Sequence, residues 1–219
     1  KLTGRIHDKG MLTLSGFLGD RFGRNEQIQL SATLSFEQLY SELEGDSASS
    51  TELYCLLSSL ADAPIKQGIA VTGSVNQMGE VQPIGGVSRK IEGFFKTCKL
   101  LGLTGEQGVI IPAGNVRHLM LQQEVVDAVA AGQFHIWSVR TIEEGIEILT
   151  GIPAGKANRS GDYPADTIYG RAQQRLRQIA QALRDEHKRE RENEDEENDE
   201  PTKPLSEGKP KPEKKRRNR

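Results

Sequence analysis

Two residues of this chain, Ser47 and Lys90, have the types and the surroundings for nucleophilic chemistry. Ser47 follows Gly45 and Asp46 in a glycine turn and precedes an apolar pattern of helical spacing, which predicts a hydroxyl exposed at a helix start. Unbonded backbone N–H groups at such a helix start can stabilise an oxyanion. A serine also needs a base, and a lysine that burial keeps neutral can replace the usual histidine. The pair therefore predicts a Ser-Lys hydrolase site.

Lys90 has to lose much of its solvation to act as a base. A free lysine has a pKa near 10.4, so well under about 1% is neutral at pH 7, and burial must lower the pKa by roughly two to three units. The apolar neighbours Ile91 and Phe94 are expected to help supply that burial. Purely structural interpretations stay open at this point, with Ser47 or Asp46 as a helix N-cap and Lys90 as an exposed helix lysine.

Composition indicates one sizeable domain with an additional polar segment. The chain has 219 residues, of which 35% are hydrophobic and 27% charged, and a formal net charge of -2. We expect a globular domain over 1–153, a linker and charged helix over 154–194, and a disordered tail, acidic and then basic, over 195–219. Cys55 and Cys98 lie in apolar helical patterns and are predicted to be buried free thiols of a reducing compartment.

Hydrophobic spacing predicts a single α/β domain that ends near Gly151. Alternation predicts strands over 10–16 and 28–34, and the helical spacing after Ser47 predicts a helix that stops at Pro64. The remaining predicted elements are strands over 69–75, 81–84, 108–112 and 134–139, and helices over 85–101, 115–131 and 141–149. No run of apolar residues approaches the roughly 20 that cross a bilayer, and no secretory signal opens the chain, so we expect a cytoplasmic protein.

The C-terminal part is strongly polar. Residues 166 to about 194 favour a helix, whose thin apolar stripe predicts that it lies on a surface or pairs with another chain. The stripe consists of Leu176, Ile179 and Leu183. The blocks of like charge and the prolines of 195–219 leave too little apolar surface to fold alone. A solvated tail is the simplest interpretation, and weak binding of nucleic acid or an acidic partner by the basic end stays open.

Three motifs occur in the order and spacing of one known family. They are Glu-Gly-Asp-Ser-Ala-Ser at 44–49, Val-Thr-Gly at 71–73, and Pro-Ile-Gly-Gly at 83–86 followed by Lys90. With them, the chain from about His7 to Leu149 resembles the proteolytic domain of the Lon proteases. Glu-Gly-Asp before the serine is similar to the type B branch and its bacterial relatives, because the type A branch has a proline just before the serine.

The resemblance implies a function and roles for individual residues. Ser47 would attack a peptide carbonyl, Lys90 would take its proton, and Thr72 would hold the lysine by a hydrogen bond. Glu44 and Asp46 are supporting candidates that would tune the lysine, although a turn role is equally open for both. The resemblance also implies an α/β (α+β) Lon-type fold, a homo-hexameric ring, and unfolded or misfolded proteins as substrates.

One departure from the family concerns the nucleotide. Lon proteases carry an AAA+ ATPase module, and no Gly-x-x-x-x-Gly-Lys-Ser/Thr phosphate loop occurs in this chain. The first residue is a lysine, so we expect a fragment whose upstream module binds ATP and Mg²⁺, unless this homologue works without ATP hydrolysis. No cofactor is predicted in the chain itself. Its histidines show no zinc-site spacing; they are His7, His118, His135 and His187.

A second function from another class stays open beside the protease. In that alternative the domain is a proteolytically silent, ring-forming scaffold attached to an ATPase, as in some Lon-like DNA-repair ATPases. The presence of Ser47, Thr72 and Lys90 in one chain favours the protease, because a scaffold has no need of this combination.

Overall fold

The computed structural model describes residues 5–24, 27–37 and 45–199. Within these ranges two helices come first, and strands and helices are then mixed along the chain. The helices are α1 (Arg5–Phe22), α2 (Ser49–Ala61), α3 (Val87–Leu101), α4 (Gln123–Ala130), α5 (Ile142–Thr150) and α6 (Ile168–Asp199). The strands are β1 (Ile69–Val71), β2 (Ser74–Val75), β3 (Val81–Gln82), β4 (Gly108–Pro112) and β5 (His135–Val139). A short 3-10 helix, Ala113–His118, follows β4 directly.

A three-stranded parallel sheet forms the centre of the fold, in the strand order β1-β4-β5. Ile69 of β1 lies opposite Gly108 of β4, which in turn lies opposite His135 of β5. All five residues of β4 are buried, as expected for a central strand that helices cover on both faces. A separate antiparallel hairpin of β2 and β3 follows β1. The predicted α/β fold class is therefore confirmed.

Two apolar clusters cover the two faces of the sheet. Side chains alternate along a strand, so Ile110 of β4 enters one cluster, whereas its neighbours Val109 and Ile111 enter the other. The first cluster is completed by α1, α2, α5 and the first part of α6, and the second by α3 and α4. As a result α2 and α3, the helices beside Ser47 and Lys90, are fixed against the same central strand from opposite faces.

The N-terminal segment differs from the sequence prediction. The strand predicted over 10–16 is wrong, because these residues belong to α1. The buried face of α1 follows helical spacing, through Leu14, Phe17, Leu18 and Phe22. The apolar-polar alternation covers only a few residues, whereas this spacing continues for more than two turns and buries one whole face. The second predicted strand, over 28–34, is also wrong, since these residues have no regular secondary structure.

The last helix is longer than predicted, and its first part belongs to the core. Leu176 is only 6% exposed, so the prediction that the α6 stripe lies on the surface or pairs with another chain is wrong for this part of the helix. The α6 residues in the core are Ile168, Tyr169, Ala172 and Leu176. Of the described residues, those up to Gln181 form one compact unit, and those from Ala182 to Asp199 belong to a second. The rest of the predicted tail, 200–219, lies outside the described residues.

Two smaller predictions also need correction. The single helix predicted over 115–131 is a 3-10 helix followed by α4, and residues 119–122 between them have no regular secondary structure. Cys98 is buried and free as predicted, but Cys55 is exposed, so its predicted burial is wrong. Cys55 lies on α2, whose buried side is formed by positions such as Leu53 and Leu57.

Candidate active site

The structure brings Ser47, Thr72 and Lys90 together from three separate segments of the chain. The Nζ atom of Lys90 lies 2.9 Å from Oγ of Ser47 and 3.1 Å from Oγ1 of Thr72. The Thr72 hydroxyl in turn donates to the backbone carbonyl of Ser47 at 3.5 Å. One amine therefore contacts both hydroxyls, at distances that permit direct proton transfer between Ser47 and Lys90.

Ser47 lies in a loop, residues 45–48, which we name the nucleophile loop. The backbone N–H of Gly73 donates to the carbonyl of Ser47 at 2.9 Å, and the N–H and Oγ of Ser50 both donate to the carbonyl of Gly73. Gly73 permits this close approach, because a Cβ there would lie 2.9 Å from Val81 and 3.3 Å from the Ser50 hydroxyl. These bonds fix the nucleophile loop to the segment that follows β1.

The helix start supplies fewer free N–H groups than the sequence suggested. The N–H of Ser49 already donates to the carbonyl of Asp46 at 3.0 Å, and that of Ser50 to Gly73 at 3.2 Å. Within the described part of the chain, the N–H groups of Ser47, Ala48 and Thr51 have no hydrogen-bond partner. Ser47 and Ala48 lie in the nucleophile loop itself, and their amides are the candidate oxyanion donors.

Lys90 lies in the first turn of α3, and its side chain is exposed in the single chain. Partial burial of the amine lowers its pKa below the ordinary lysine value, which is the direction that a lysine base needs. The extent of burial is smaller than the sequence led us to expect. Ile91 and Phe94 belong to the cluster under α3. The groove around the amine is lined instead by residues such as Ala70 and Val109.

Of the two acidic candidates, Asp46 is described by the structure and Glu44 is not. Asp46 lies in the nucleophile loop, where its carboxylate accepts a hydrogen bond from the Ser74 hydroxyl at 3.0 Å. Its backbone carbonyl accepts from both the N–H and the hydroxyl of Ser49. These contacts favour the turn role for Asp46, because they hold the loop and do not involve Lys90. Glu44, the other candidate, lies outside the described residues.

Three buried serines support the nucleophile loop and were missed by the sequence analysis. Ser49 and Ser50 are each 1% exposed, and Ser74 is 8% exposed. The Ser49 hydroxyl accepts from the N–H of Val75 at 3.1 Å while it donates to the carbonyl of Asp46 at 2.8 Å. The serines join the loop to β2. The sequence signal for Ser49 and Ser50 is the polar run Ser-Ala-Ser-Ser at 47–50, where an apolar helix begins, and Ser74 lies outside this run.

Two grooves meet at Ser47. The first, which we name the apolar groove, has a volume of about 300 Å³ and contains Phe36, Ala70, Val109 and Lys90 among its lining residues. The second, which we name the polar groove, has a volume of about 540 Å³ and includes Asp46, Ser74, Asn76, Gln82, Pro83 and Ile84. Ser47 lines both grooves, so a bound chain could extend on either side of its hydroxyl.

The described residues show neither a metal centre nor a membrane segment. No group of three or more His, Cys, Asp or Glu side chains within them is arranged to hold a metal ion. Each helix in the described ranges is too short or too polar to span a bilayer.

Comparison with known proteins adds independent findings. The family model described as "Lon protease (S16) C-terminal proteolytic domain" matches residues 41–150, a range that contains all three residues of the contact. The "Putative Lon protease homolog" of Escherichia coli (strain K12) is 51% identical over 152 residues, which cover 69% of this chain and 26% of the relative. The protein of the same name from Haemophilus influenzae is 46% identical over 151 residues, which cover 69% of this chain and 25% of that relative.

More distant matches come from archaea. An "Archaeal Lon protease" of Thermococcus kodakarensis is 36% identical over 115 residues, which cover 52% of this chain and 16% of the relative. The chain thus spans about a quarter of the length of the two bacterial relatives, and less of the archaeal one. The similarity applies to a part of these longer proteins.

Proposed function

The chain belongs to the Lon protease (S16) C-terminal proteolytic domain family, and on that basis we propose that it is a serine endopeptidase with Ser47 as nucleophile and Lys90 as general base. The observation that carries the proposal is the 2.9 Å distance between Nζ of Lys90 and Oγ of Ser47. Thr72, at 3.1 Å from the same amine, is the positioning residue of the pair.

In the acylation step, Oγ of Ser47 attacks the carbonyl carbon of the peptide bond while Nζ of Lys90 takes the hydroxyl proton. Negative charge then develops on the carbonyl oxygen, where the N–H groups of Ser47 and Ala48 are the candidate donors. A single donor of this kind contributes about 3 kcal/mol to the stability of the transition state. When the C–N bond breaks, the protonated Lys90 gives its proton to the leaving amine, and an ester remains on Ser47.

In the deacylation step, the neutral Lys90 takes a proton from a water molecule that attacks the ester. The bond between the acyl carbon and Oγ then breaks, and Lys90 returns the proton to Ser47. The amine changes charge twice in each cycle, so its position must be held in both states. Thr72 meets this need, because its hydroxyl oxygen can accept a hydrogen bond from the charged or the neutral amine while its O–H donates to the Ser47 carbonyl.

The substrates that we propose are unfolded or misfolded polypeptides. An endopeptidase must hold the chain on both sides of the scissile bond, and Ser47 lines both the apolar and the polar groove. We expect substrates to be selected by access, as in a homo-hexameric ring that encloses the serines. A cytoplasmic location is part of the same proposal.

A nucleotide has no direct part in this chemistry. The chain contains no phosphate loop, so its own residues do not fit ATP and Mg²⁺. We expect these cofactors in an AAA+ module outside the chain, where ATP hydrolysis would unfold substrates and deliver them. Hydrolysis of an already unstructured peptide by Ser47 and Lys90 needs no such energy.

The proposal is tested by replacing Ser47 with alanine and measuring the cleavage of casein and of an unstructured fluorogenic peptide. Cleavage is expected to be abolished, with an unchanged circular dichroism spectrum and oligomeric state. Ser59→Ala is the matched control, because Ser59 is an exposed serine on α2. Residual turnover of Ser47→Ala within tenfold of wild type would give the nucleophile role to another residue. A wild-type protein that binds casein in a ring without cleaving it would favour the scaffold alternative.

A further inference from the structure

One buried side chain outside the catalytic contact is bonded to the segment that leads into α3. Asn115 lies in the 3-10 helix that follows β4 and is only 7% exposed. Its Oδ1 atom accepts from the backbone N–H of Ile84 at 3.0 Å, and its Nδ2 atom donates to the carbonyl of the same residue at 2.9 Å. The side-chain amide thus pairs with one residue through both backbone groups, as a neighbouring strand would.

Ile84 belongs to the segment 83–86, which leads directly into α3. The helix starts after Gly86, a residue with φ of 69° that provides no side-chain cap, and Gly86 accepts the backbone N–H of Lys90 at 3.2 Å. The first turn of the helix that carries Lys90 therefore has no side-chain cap, and contacts of the preceding segment add to the packing of Val87 and Ile91 in setting its position. The bonds from Asn115 to Ile84 supply such contacts.

The same segment is packed closely on the residue before Asn115. A Cβ on Gly114 would lie 2.6 Å from the ring of Pro83, so the ring lies against the Gly114 backbone as closely as a glycine allows. Pro83 and Ile84 also line the polar groove beside Ser47. Their position therefore affects both the start of α3 and a wall of the groove.

The two residues that contact the Ser47 side of the site, Thr72 and Lys90, are both connected to β4. Thr72 is held by β4, because its backbone N–H donates to the carbonyl of Ile110 at 3.1 Å. Lys90 is tied to the end of the same strand through Asn115 and Ile84. A shift of the segment 83–86 would move Lys90 relative to Thr72 and Ser47 while leaving the nucleophile loop in place.

We propose that Asn115 is a positioning residue for peptide hydrolysis, which sets the place of Lys90 and of the polar-groove wall through its paired hydrogen bonds to Ile84. The inference rests on the proposed function, since it assigns Asn115 a role in the reaction of Ser47 and Lys90. Asn115 acts through the backbone of Ile84 and does not touch the reacting atoms.

The test compares Asn115→Ala with wild type in the hydrolysis of an unstructured peptide across pH. Loss of both bonds leaves the Ile84 N–H and carbonyl unpaired, and kcat/KM is expected to fall by about 10- to 100-fold because the reacting groups are misplaced. Asn158→Ala is the matched control. Its side chain also makes two hydrogen bonds to the backbone, accepting from the N–H groups of Ser160 and Asp162, but in an exposed loop. It is expected to keep kcat/KM within about twofold.

The acidic limb of the pH–rate profile separates positioning from a loss of folded protein. This limb reports the deprotonation of the base. Burial of the amine is what lowers the pKa of Lys90, so a change in its burial changes the pH at which the limb lies. A freed Lys90 is more hydrated, so the limb of Asn115→Ala is expected to move to higher pH. Partial unfolding would lower the amplitude and leave the limb where it is.

A second variant tests the positioning role of Asn115 if Asn115→Ala does not fold. Asn115→Gln keeps the amide donor and acceptor and adds no charge, but the extra methylene displaces both bonds to Ile84, so a smaller shift of the limb in the same direction is expected. An unmoved limb in the folded variants would overturn the positioning role. If Ser47→Ala or Lys90→Met kept its activity, the proposed function itself would fail, which is a distinguishable result.

Discussion

Replacing Thr72 by valine removes one hydroxyl from the site with almost no change in shape. The hydroxyl lies 3.1 Å from Nζ of Lys90 and 3.5 Å from the carbonyl of Ser47, and the residue is 6% exposed. A hydrogen bond to a charged group contributes about 1.5–3 kcal/mol, and each 1.36 kcal/mol of transition-state stabilisation is a tenfold rate. We therefore expect Thr72→Val to lower kcat by about 10- to 150-fold.

The stability of this variant is expected to change little. The carbonyl of Ser47 keeps its 2.9 Å hydrogen bond from the N–H of Gly73, and valine fills the volume of threonine, so the loss is about 1 kcal/mol or less. The assay is steady-state hydrolysis of an unstructured peptide, together with a thermal melt. Thr72→Ser keeps the hydroxyl and is expected to retain most of the activity.

Thr150→Val is the matched control for the loss of a threonine hydroxyl. Thr150 donates to the carbonyl of Ile146 at 2.7 Å and accepts from the N–H of Ile152 at 3.2 Å, at the end of α5 and away from the site. It is expected to lower the melting temperature as much as Thr72→Val does, or more, with kcat within about twofold of wild type. The positioning role of Thr72 would be refuted if Thr72→Val kept kcat within that same range.

Two further variants give independent checks. Lys90→Met is expected to abolish cleavage and to be at least as stable as wild type at neutral pH, because the folded lysine has a lowered pKa. The lowered pKa reduces the free energy of unfolding of the wild type by its full amount below the folded pKa of Lys90, and this loss disappears as pH rises to the pKa of the unfolded chain. The small stability advantage of the mutant is therefore expected to fade in alkali. A clear loss of stability of the mutant at neutral pH would instead indicate a charged, paired lysine. Deletion of residues 196–219 is expected to leave the thermal midpoint within a few degrees, since their composition offers little apolar surface. A larger loss would show that the tail docks on the domain, and salt-dependent retention on heparin that disappears with the tail would assign it a binding role.

The three residues of the contact could be found from the sequence because short motifs carry them. Thr72 directly follows β1, and Lys90 lies one turn into α3 after the Gly85-Gly86 pair, so local pattern places each on a recognisable element. The supporting residues have no such signal. Asn115 pairs with Ile84 across 31 positions of the sequence, a contact that only the packed sheet creates.

The errors in the fold predicted from the sequence have a common physical cause, which is competition between a short local pattern and longer-range packing. The stretch that α1 uses for its buried face also alternates over a few residues, and the helical spacing becomes decisive only when the whole helix is considered. In α6, the prediction of a thin apolar stripe counts only the large side chains Leu176, Ile179 and Leu183. The small residues Ala172 and Ala180 are buried beside them and widen the face that packs.

The measurement that tests the central claim most directly is covalent labelling of the nucleophile. A fluorophosphonate reacts when a serine oxygen attacks phosphorus and fluoride leaves, with the hydroxyl proton taken by the base. We expect mass spectrometry of the labelled wild-type chain to find the adduct on Ser47, and Lys90→Met to label at least about 100-fold more slowly, the size of a general-base contribution. An adduct on a different residue, or equal labelling rates in the two proteins, would contradict the assignment of Ser47 and Lys90.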